Sequence, residues 1–322
     1  MTGVDQIIVR WEPMFQRCLV YSRKTKALDT ASAAELQSSW LVTHRSPPTD
    51  GLVAPMKIFL AITRACDLDC PFCFARGRRY GSPMSTGTIV QVIHQAADAG
   101  VFEIRLTGGE PTVHPAFFDI AALIDHLGMN CSLNTHGAFH EPLIEKLIDS
   151  PVDDIRISID GPEEIHDSLR GNGSFQRAIR TVGALRESGK SVRVNSMVYR
   201  GNADALDTII DLAAELGVSL RLCPMRAIGR AREPVFAQTY VLCQNEWHRI
   251  EDNLATRGLF RKHVSCFSID DLEDFSHCPG PTAGLEEAHC SPWVTQMGID
   301  PNGTNFSRNL LIPLFFRPPA WL

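Results

Sequence analysis

Residues 101–137 read VFEIRLTGGEPTVHPAFFDIAALIDHLGMNCSLNTHG. Residues 101–107 are strand-like, 116–127 carry the apolar spacing of a helix, and 130–134 form a second short strand. Strand, helix and strand in so short a compass make a βαβ unit, which lays its two strands parallel. The rhythm continues on both sides. Upstream, residues 56–65 (MKIFLAITRA) read as a strand and 85–100 as a helix, with Ser85 as its cap and Gly100 as its stop. Downstream, strands at 154–159, 191–198 and 219–223 alternate with helices at 141–149, 175–188 and 203–216, and an amphipathic segment follows at 245–257. Six strand–helix units in a row define an α/β protein with a parallel sheet, either an open doubly wound sheet or a partial barrel. In both, the active site lies at the carboxyl ends of the strands.

The chain has 322 residues, 44% hydrophobic and 21% charged, the make-up of a globular protein with a sizeable core. Its 31 basic and 37 acidic residues leave a net charge of −6, which argues against a broad electrostatic hold on nucleic acid. No basic-plus-apolar leader is visible, and the apolar run at 310–316 is too short to span a bilayer. The expectation is a cytoplasmic protein with no membrane and no nucleic-acid partner. Residues 1–52 hold two short strands, 6–11 and 17–21, a helical stretch at 32–40 and a Pro/Thr/Asp/Gly-rich connector at 46–51. From about residue 259 helical periodicity is lost.

Ten cysteines are the unusual part of the composition. In a reducing compartment they point to metal or catalysis more than to disulfides. Cys66, Cys70 and Cys73 lie in residues 63–77, TRACDLDCPFCFARG, directly after the first strand of the repeat. Thiolates are soft ligands for zinc or iron–sulfur clusters. Three at this spacing can hold three corners of a [4Fe–4S] cube and leave the fourth iron open. A zinc knuckle completed by a distant cysteine or histidine is the alternative, although zinc sites usually pair two C-x2-C halves.

A C-x3-C-x-aromatic-C motif after the first strand of a six-unit repeat resembles the radical S-adenosylmethionine (SAM) superfamily, over residues 53–232. The resemblance implies a partial (β/α)6 barrel, with a small N-terminal β-hairpin and helix flank (1–52) and a small cysteine-containing C-terminal cap (233–322). It implies a [4Fe–4S] cluster on Cys66, Cys70 and Cys73, whose open iron chelates SAM. One-electron reduction by a flavodoxin- or ferredoxin-type donor then yields a 5′-deoxyadenosyl radical that abstracts hydrogen from substrate. Gly108-Gly109-Glu110-Pro111 is similar to the family's GGEP motif, which binds the SAM amino group. Its glycines let backbone amides approach a ligand, and Pro111 holds Glu110 extended. Asn134-Thr135-His136-Gly137 stands where relatives usually have Thr-Asn-Gly, with His136 in place of the asparagine. Ser158 and Asp160 match the S-x-D-G strand ending that faces the cofactor. His166 and Arg170 follow in an H-x3-R-G pattern whose arginine suits the SAM carboxylate. Asn195 is a candidate for adenosine, and Arg221 or Arg226 for substrate or SAM. Residues 224–231, PMRAIGRA, look like the stretch that follows the barrel in the SPASM-type branch.

Residues 290–307, CSPWVTQMGIDPNGTNFS, resemble the start of a SPASM or twitch auxiliary-cluster module. The interval from Cys290 to Gly303 fits. Arg308 stands where that pattern has its next cysteine, and no cysteine follows Cys290. Cys266, Cys278 and Cys290 are therefore candidates for an incomplete auxiliary cluster, with Cys243 or a histidine as a further ligand. A shortened tail, or a lid without a cluster, fits equally. Cys18, Cys131, Cys223 and Cys243 read as buried thiols. The function implied is radical SAM chemistry in peptide (RiPP-type) or natural-product maturation. A radical SAM dehydrogenase or epimerase of sugars or aminocyclitols is the second reading. A non-catalytic iron–sulfur or zinc scaffold is a third, of another class.

Overall fold

The computed structural model describes residues 7–12, 17–35, 41–43, 54–257, 264–266 and 296–299. Ile7–Glu12 (β1), Arg17–Ser22 (β2), Leu28–Ala31 (β3) and Leu41–Thr43 (β4) form a four-stranded sheet in the order β3-β2-β1-β4. The expected hairpin is its centre, β1 against β2. Of the helix expected at 32–40, the described part holds a 3₁₀ turn, Ala33–Glu35, where the Glu35 carboxylate accepts from the Ser32 N–H at 2.7 Å and hydroxyl at 2.8 Å. Residues 36–40 lie outside the described ones.

Six parallel strands follow in chain order: Lys57–Thr63 (β5), Glu103–Gly108 (β6), Asn130–Thr135 (β7), Val152–Ser158 (β8), Ser191–Val198 (β9) and Ser219–Pro224 (β10). The connecting helices are Thr86–Asp98 (α1), Phe117–His126 (α2), Glu141–Asp149 (α3), Glu163–Arg170 (α4), Ser174–Glu187 (α5) and Leu206–Glu215 (α6); Pro234–Tyr240 (α7) and Gln244–Thr256 (α8) follow β10. Ser85 caps α1 through its hydroxyl, and Gly100 stops it at φ 76°. Val264–Cys266 (β11) adds to β10, and Gln296–Ile299 (β12) adds to β5, both parallel.

The strand order β11-β10-β9-β8-β7-β6-β5-β12 places β5 to β10 side by side with no reversal. Right-handed crossovers between successive neighbours put every connecting helix on one face. A doubly wound sheet needs a reversal to place helices on both faces, so the partial barrel is the architecture. Side chains alternate accordingly. Ile104 and Leu106, Ile155 and Ile157, Val192 and Val194, and Leu220 and Leu222 are buried in the core between strands and helices. The intervening residues are Glu103, Arg105, Asp154, Arg156, Arg193, Asn195 and Arg221, which turn the opposite face into a polar lumen.

The N-terminal sheet packs at the amino ends of these strands. Arg10 donates to the Gly100 carbonyl at 3.0 Å, Tyr21 stacks on Phe102 at 5.1 Å, and Asn130 donates to the Tyr21 hydroxyl at 2.8 Å. This flank therefore leaves the carboxyl ends free for chemistry. Among the described residues no helix is long and apolar enough to cross a membrane.

Candidate active site

The loop after β5 is closed at its base. Cys66 N–H donates to the Arg78 carbonyl and Arg78 N–H to the Arg64 carbonyl, each at 3.0 Å. The three cysteines lie inside this closed loop. A second clamp comes from the turn after β10. Arg230 donates to the carbonyls of Cys70 at 2.9 Å and Gly77 at 2.5 Å, pairs with Asp69, and gives its own N–H to the Cys73 carbonyl at 3.1 Å. The GRA part of PMRAIGRA thus holds the cysteine loop.

Gly108 and Gly109 end β6 against the exit of β5. An added Cβ would lie 2.3 Å from the Thr63 carbonyl oxygen at Gly108 and 2.1 Å from that of Ala65 at Gly109. Gly109 N–H and Glu110 N–H donate to those same carbonyls at 2.7 Å. Close approach of β5 therefore explains the glycines, and these two amides are already spent. Glu110 is extended, as Pro111 demands, at φ −121° and ψ 112°. Its carboxylate is buried and accepts from the Thr112 N–H and hydroxyl, the Thr135 hydroxyl at 2.8 Å and the His136 N–H at 3.1 Å.

His136 joins that carboxylate to the cysteine loop. Its Nδ1 accepts from Ala138 N–H at 2.9 Å, which leaves the proton on Nε2. Nε2 lies 2.8 Å from Asp67 and 3.4 Å from Glu110. The ligand atoms of Cys66, Asp67 and His136 all lie within 4.8 Å of one another. Because Asp67 and His136 bond each other, they act as a latch beside Cys66.

Asp160 is also turned to structural use. It is buried, with Oδ1 accepting from Met197 N–H at 2.8 Å and Oδ2 from Arg170 Nε at 2.6 Å. Arg170 in turn lies 5.3 Å over the Phe72 ring of the cysteine loop. Asn202, buried and given away by no sequence motif, donates to the carbonyls of Asp160 and Met197. His166 accepts from Asp160 N–H at 3.2 Å, and burial pushes its pKa down to about 4.

One cavity of about 250 Å³ opens at the carboxyl ends of the strands. Cys66, Cys70 and Cys73 line it, as do Gly108, Gly109, Ser158, Asp160, Arg170 and Asn195; Glu110 is not part of the wall. The donor set fits an iron–sulfur cluster and SAM. Three soft thiols reach one cavity from one clamped loop. Burial pushes the Cys66 thiol up to about 12 and raises Cys70, so a metal must displace their protons. Asn195 Oδ1 is buried on the wall with no hydrogen-bond partner among the described residues, an acceptor left for a ligand donor.

The other cysteines divide. Cys18 and Cys131 are buried, Cys223 is half-buried on the cavity wall, and Cys243 is exposed. Cys243, expected as a buried thiol, is instead exposed at the N-cap of α8, where its N–H donates to Glu246 at 2.7 Å. Cys266 ends β11, its backbone opposite Leu222. Cys278 and Cys290 lie outside the described residues. Arg221 stands on β10 beside Asn195 of β9, and Arg226 follows in the turn.

Comparison with known proteins gives a family for part of the chain. Residues 60–213 match the family model of the radical SAM superfamily. Mycofactocin maturase MftC of Mycolicibacterium smegmatis is 34% identical over 189 residues, 57% of this chain and 48% of that protein. The PqqA peptide cyclase of Methylorubrum extorquens is 30% identical over 180 residues, 54% of this chain and 47% of that protein. The chain spans about half the length of the curated relatives it matches. The crystal structure of Streptococcus suis SuiB bound to S-adenosylmethionine superposes with a TM-score of 0.69 and 14% identity, covering 95% of this chain and 82% of that one. That likeness shows the fold. Residues 60–213 of this chain are a domain of the radical SAM superfamily.

Proposed function

We propose that this chain is a radical SAM enzyme that acts on a peptide. Cys66, Cys70 and Cys73 hold a [4Fe–4S] cluster, and SAM occupies the cavity beside them. When bound and reduced by a flavodoxin- or ferredoxin-type donor, the pair supplies reductive cleavage of SAM and hydrogen abstraction from carbon. The observation that carries the reading is the meeting of all three cysteines with the Gly108–Gly109 wall in one cavity at the strand ends. Arg230 and the Asp67–His136 latch hold the thiols in place. Ser158 and Asn195 offer polar groups to SAM, while Asp160 orients Arg170 toward the same space. Phe72 and Leu68 supply apolar wall that keeps water from the reacting carbon.

The peptide substrate is supported by the relatives, a maturase and a peptide cyclase by name, and by the structure of SuiB bound to its precursor peptide SuiA. Cys266, Cys278 and Cys290 are proposed ligands of a second cluster. The test is anaerobic reconstitution followed by iron and sulfide counting and assay of 5′-deoxyadenosine release from SAM under dithionite. About four irons per chain with SAM-dependent release supports the reading, and about eight adds the second cluster. Zinc in place of iron, or equal release by a C66A/C70A/C73A variant, refutes it.

A further inference from the structure

The barrel lumen holds more positive than negative charge. Four cations, Lys57, Arg105, Arg156 and Arg193, share two carboxylates, Glu103 and Asp154. Glu103 takes Lys57 at 2.7 Å and Arg105 at 2.8 Å; Asp154 accepts from Arg105 through Oδ2 at 2.6 Å, while its Oδ1 lies 3.1 Å from Arg193 Nε as an ion-pair contact with no hydrogen-bond partner among the described residues. Arg156 is left over. Its nearest carboxylate contact is 3.7 Å, from Nε to Asp154, beyond hydrogen-bond reach. Nε is buried with no hydrogen-bond partner among the described residues, and the side chain is 12% exposed. A guanidinium offers five donors, and nothing described accepts from this one. Burial, with the like charges of Arg105, Arg221 and Arg193, pushes its pKa down to about 10 despite Asp154.

Its position gives the spare charge a use. Arg156 precedes Ser158 by one pleat of β8 and lines the cavity that holds the cysteines. It also lines a second cavity of about 280 Å³ toward the N-terminal sheet, so it forms the partition between the two. A molecule reaching past Ser158 and Asn195 meets this guanidinium at the bottom of the site. We infer that Arg156 anchors a carboxylate that enters the active-site cavity. The planar fork of a guanidinium matches a carboxylate in a bidentate pair, and the low-dielectric wall strengthens the contact. The inference rests on the radical SAM reading, under which SAM and a peptide each bring a carboxylate.

The experiment compares reconstituted wild type, R156M and R156K. Equilibrium dialysis measures binding of SAM and of decarboxylated SAM, which lacks the carboxylate. If SAM is the source, R156M loses about ten- to hundredfold in affinity for SAM and nothing for the decarboxylated form, with R156K between. If the second substrate is the source, SAM affinity is unchanged. Sodium acetate then raises the thermal midpoint of the SAM-loaded wild type by about 2 °C more than that of R156M, against sodium chloride at equal ionic strength. An Arg156 held for a ligand is uncompensated in the free protein, so R156M keeps or raises the midpoint. Unchanged SAM binding with no acetate difference overturns the inference, as does a fall in the R156M midpoint with neither effect. Wild type that binds no SAM refutes the radical SAM reading instead, and the same acetate comparison run on the unloaded wild type and R156M then decides Arg156.

Discussion

Replacing Gly229 by alanine drives a methyl group into the back of the cysteine loop. Gly229 has φ 60°, and an added Cβ lies 2.3 Å from Phe74 Cα, 2.5 Å from Phe74 O and 2.6 Å from Cys73 O. All three are backbone atoms, so no side-chain rotation relieves the overlap. Ordinary contact begins at 3.4 Å, and turn and loop must part by about 1 Å. A left-handed alanine costs about 1–2 kcal/mol and overpacking about 1–3 kcal/mol, together roughly 2–5 kcal/mol. The strain falls where two loops meet and outside the strand–helix core. The nearby bonds from Arg230 to Cys70 O at 2.9 Å and Cys73 O at 3.1 Å are the first to give way. The expected variant is folded by circular dichroism but keeps less than half of the wild-type iron and sulfide after anaerobic desalting. Full iron retention with an unchanged thermal midpoint would refute the clamp. A loss of the whole barrel would show that the turn supports the core.

Two further outcomes concern the buried polar residues behind the site. His166 has a folded pKa near 4 against 6.5 in the free side chain, because burial disfavours its charge. Below pH 6.5 the unfolded chain takes up a proton that the native chain refuses, so stability is full above pH 6.5 and falls as pH drops toward 4, by up to about 3 kcal/mol. Urea midpoints of wild type and H166Q across that range should converge toward acid; parallel curves would show that His166 carries no such linkage. Asp160→Asn removes the charge facing buried Arg170 and should cost about 3–5 kcal/mol. The D160N/R170Q double variant should recover part of that loss, and strict additivity would deny the coupling.

Much of the fold was legible because the repeat carries its own punctuation. The helix at Glu141–Asp149 and the strand at Ser191–Val198 stand at the boundaries their periodicity marks. Barrel and open sheet could not be told apart, because periodicity reports faces and never strand order. Helix α4 was missed because its segment, EEIHDSLR, is mostly polar and buries only His166 and Leu169. Strands β11 and β12, at three and four residues, are too short to show a period. At the site, the cysteines and glycines were legible as motifs, whereas the partners of their neighbours were not. Nothing in the order of residues says that Glu110 faces Thr135 and His136, or that Asp160 faces Met197.

Those two carboxylates show how the wall of the cavity is built. Glu110, through Thr135 and the His136–Asp67 latch, ties the ends of β5, β6 and β7 into one unit. Asp160, through Met197, Arg170 and Asn202, ties β8, α4 and β9 into another. The units meet where the Ser158 hydroxyl donates to the Thr135 carbonyl at 3.2 Å and where Arg170 lies over Phe72. Each unit spends its negative charge internally, on Arg170 in one and on hydroxyl, amide and imidazole donors in the other. What remains toward the cavity is the three thiols, backbone, hydroxyl and amide, with Arg170 matched by Asp160 and Arg156 below. A site whose own carboxylates are occupied does not repel a ligand that brings one, and rigid framing removes the reorganisation that would otherwise oppose binding. Freeing either carboxylate should therefore weaken an anionic ligand twice over, by loosening the frame and by adding repulsion.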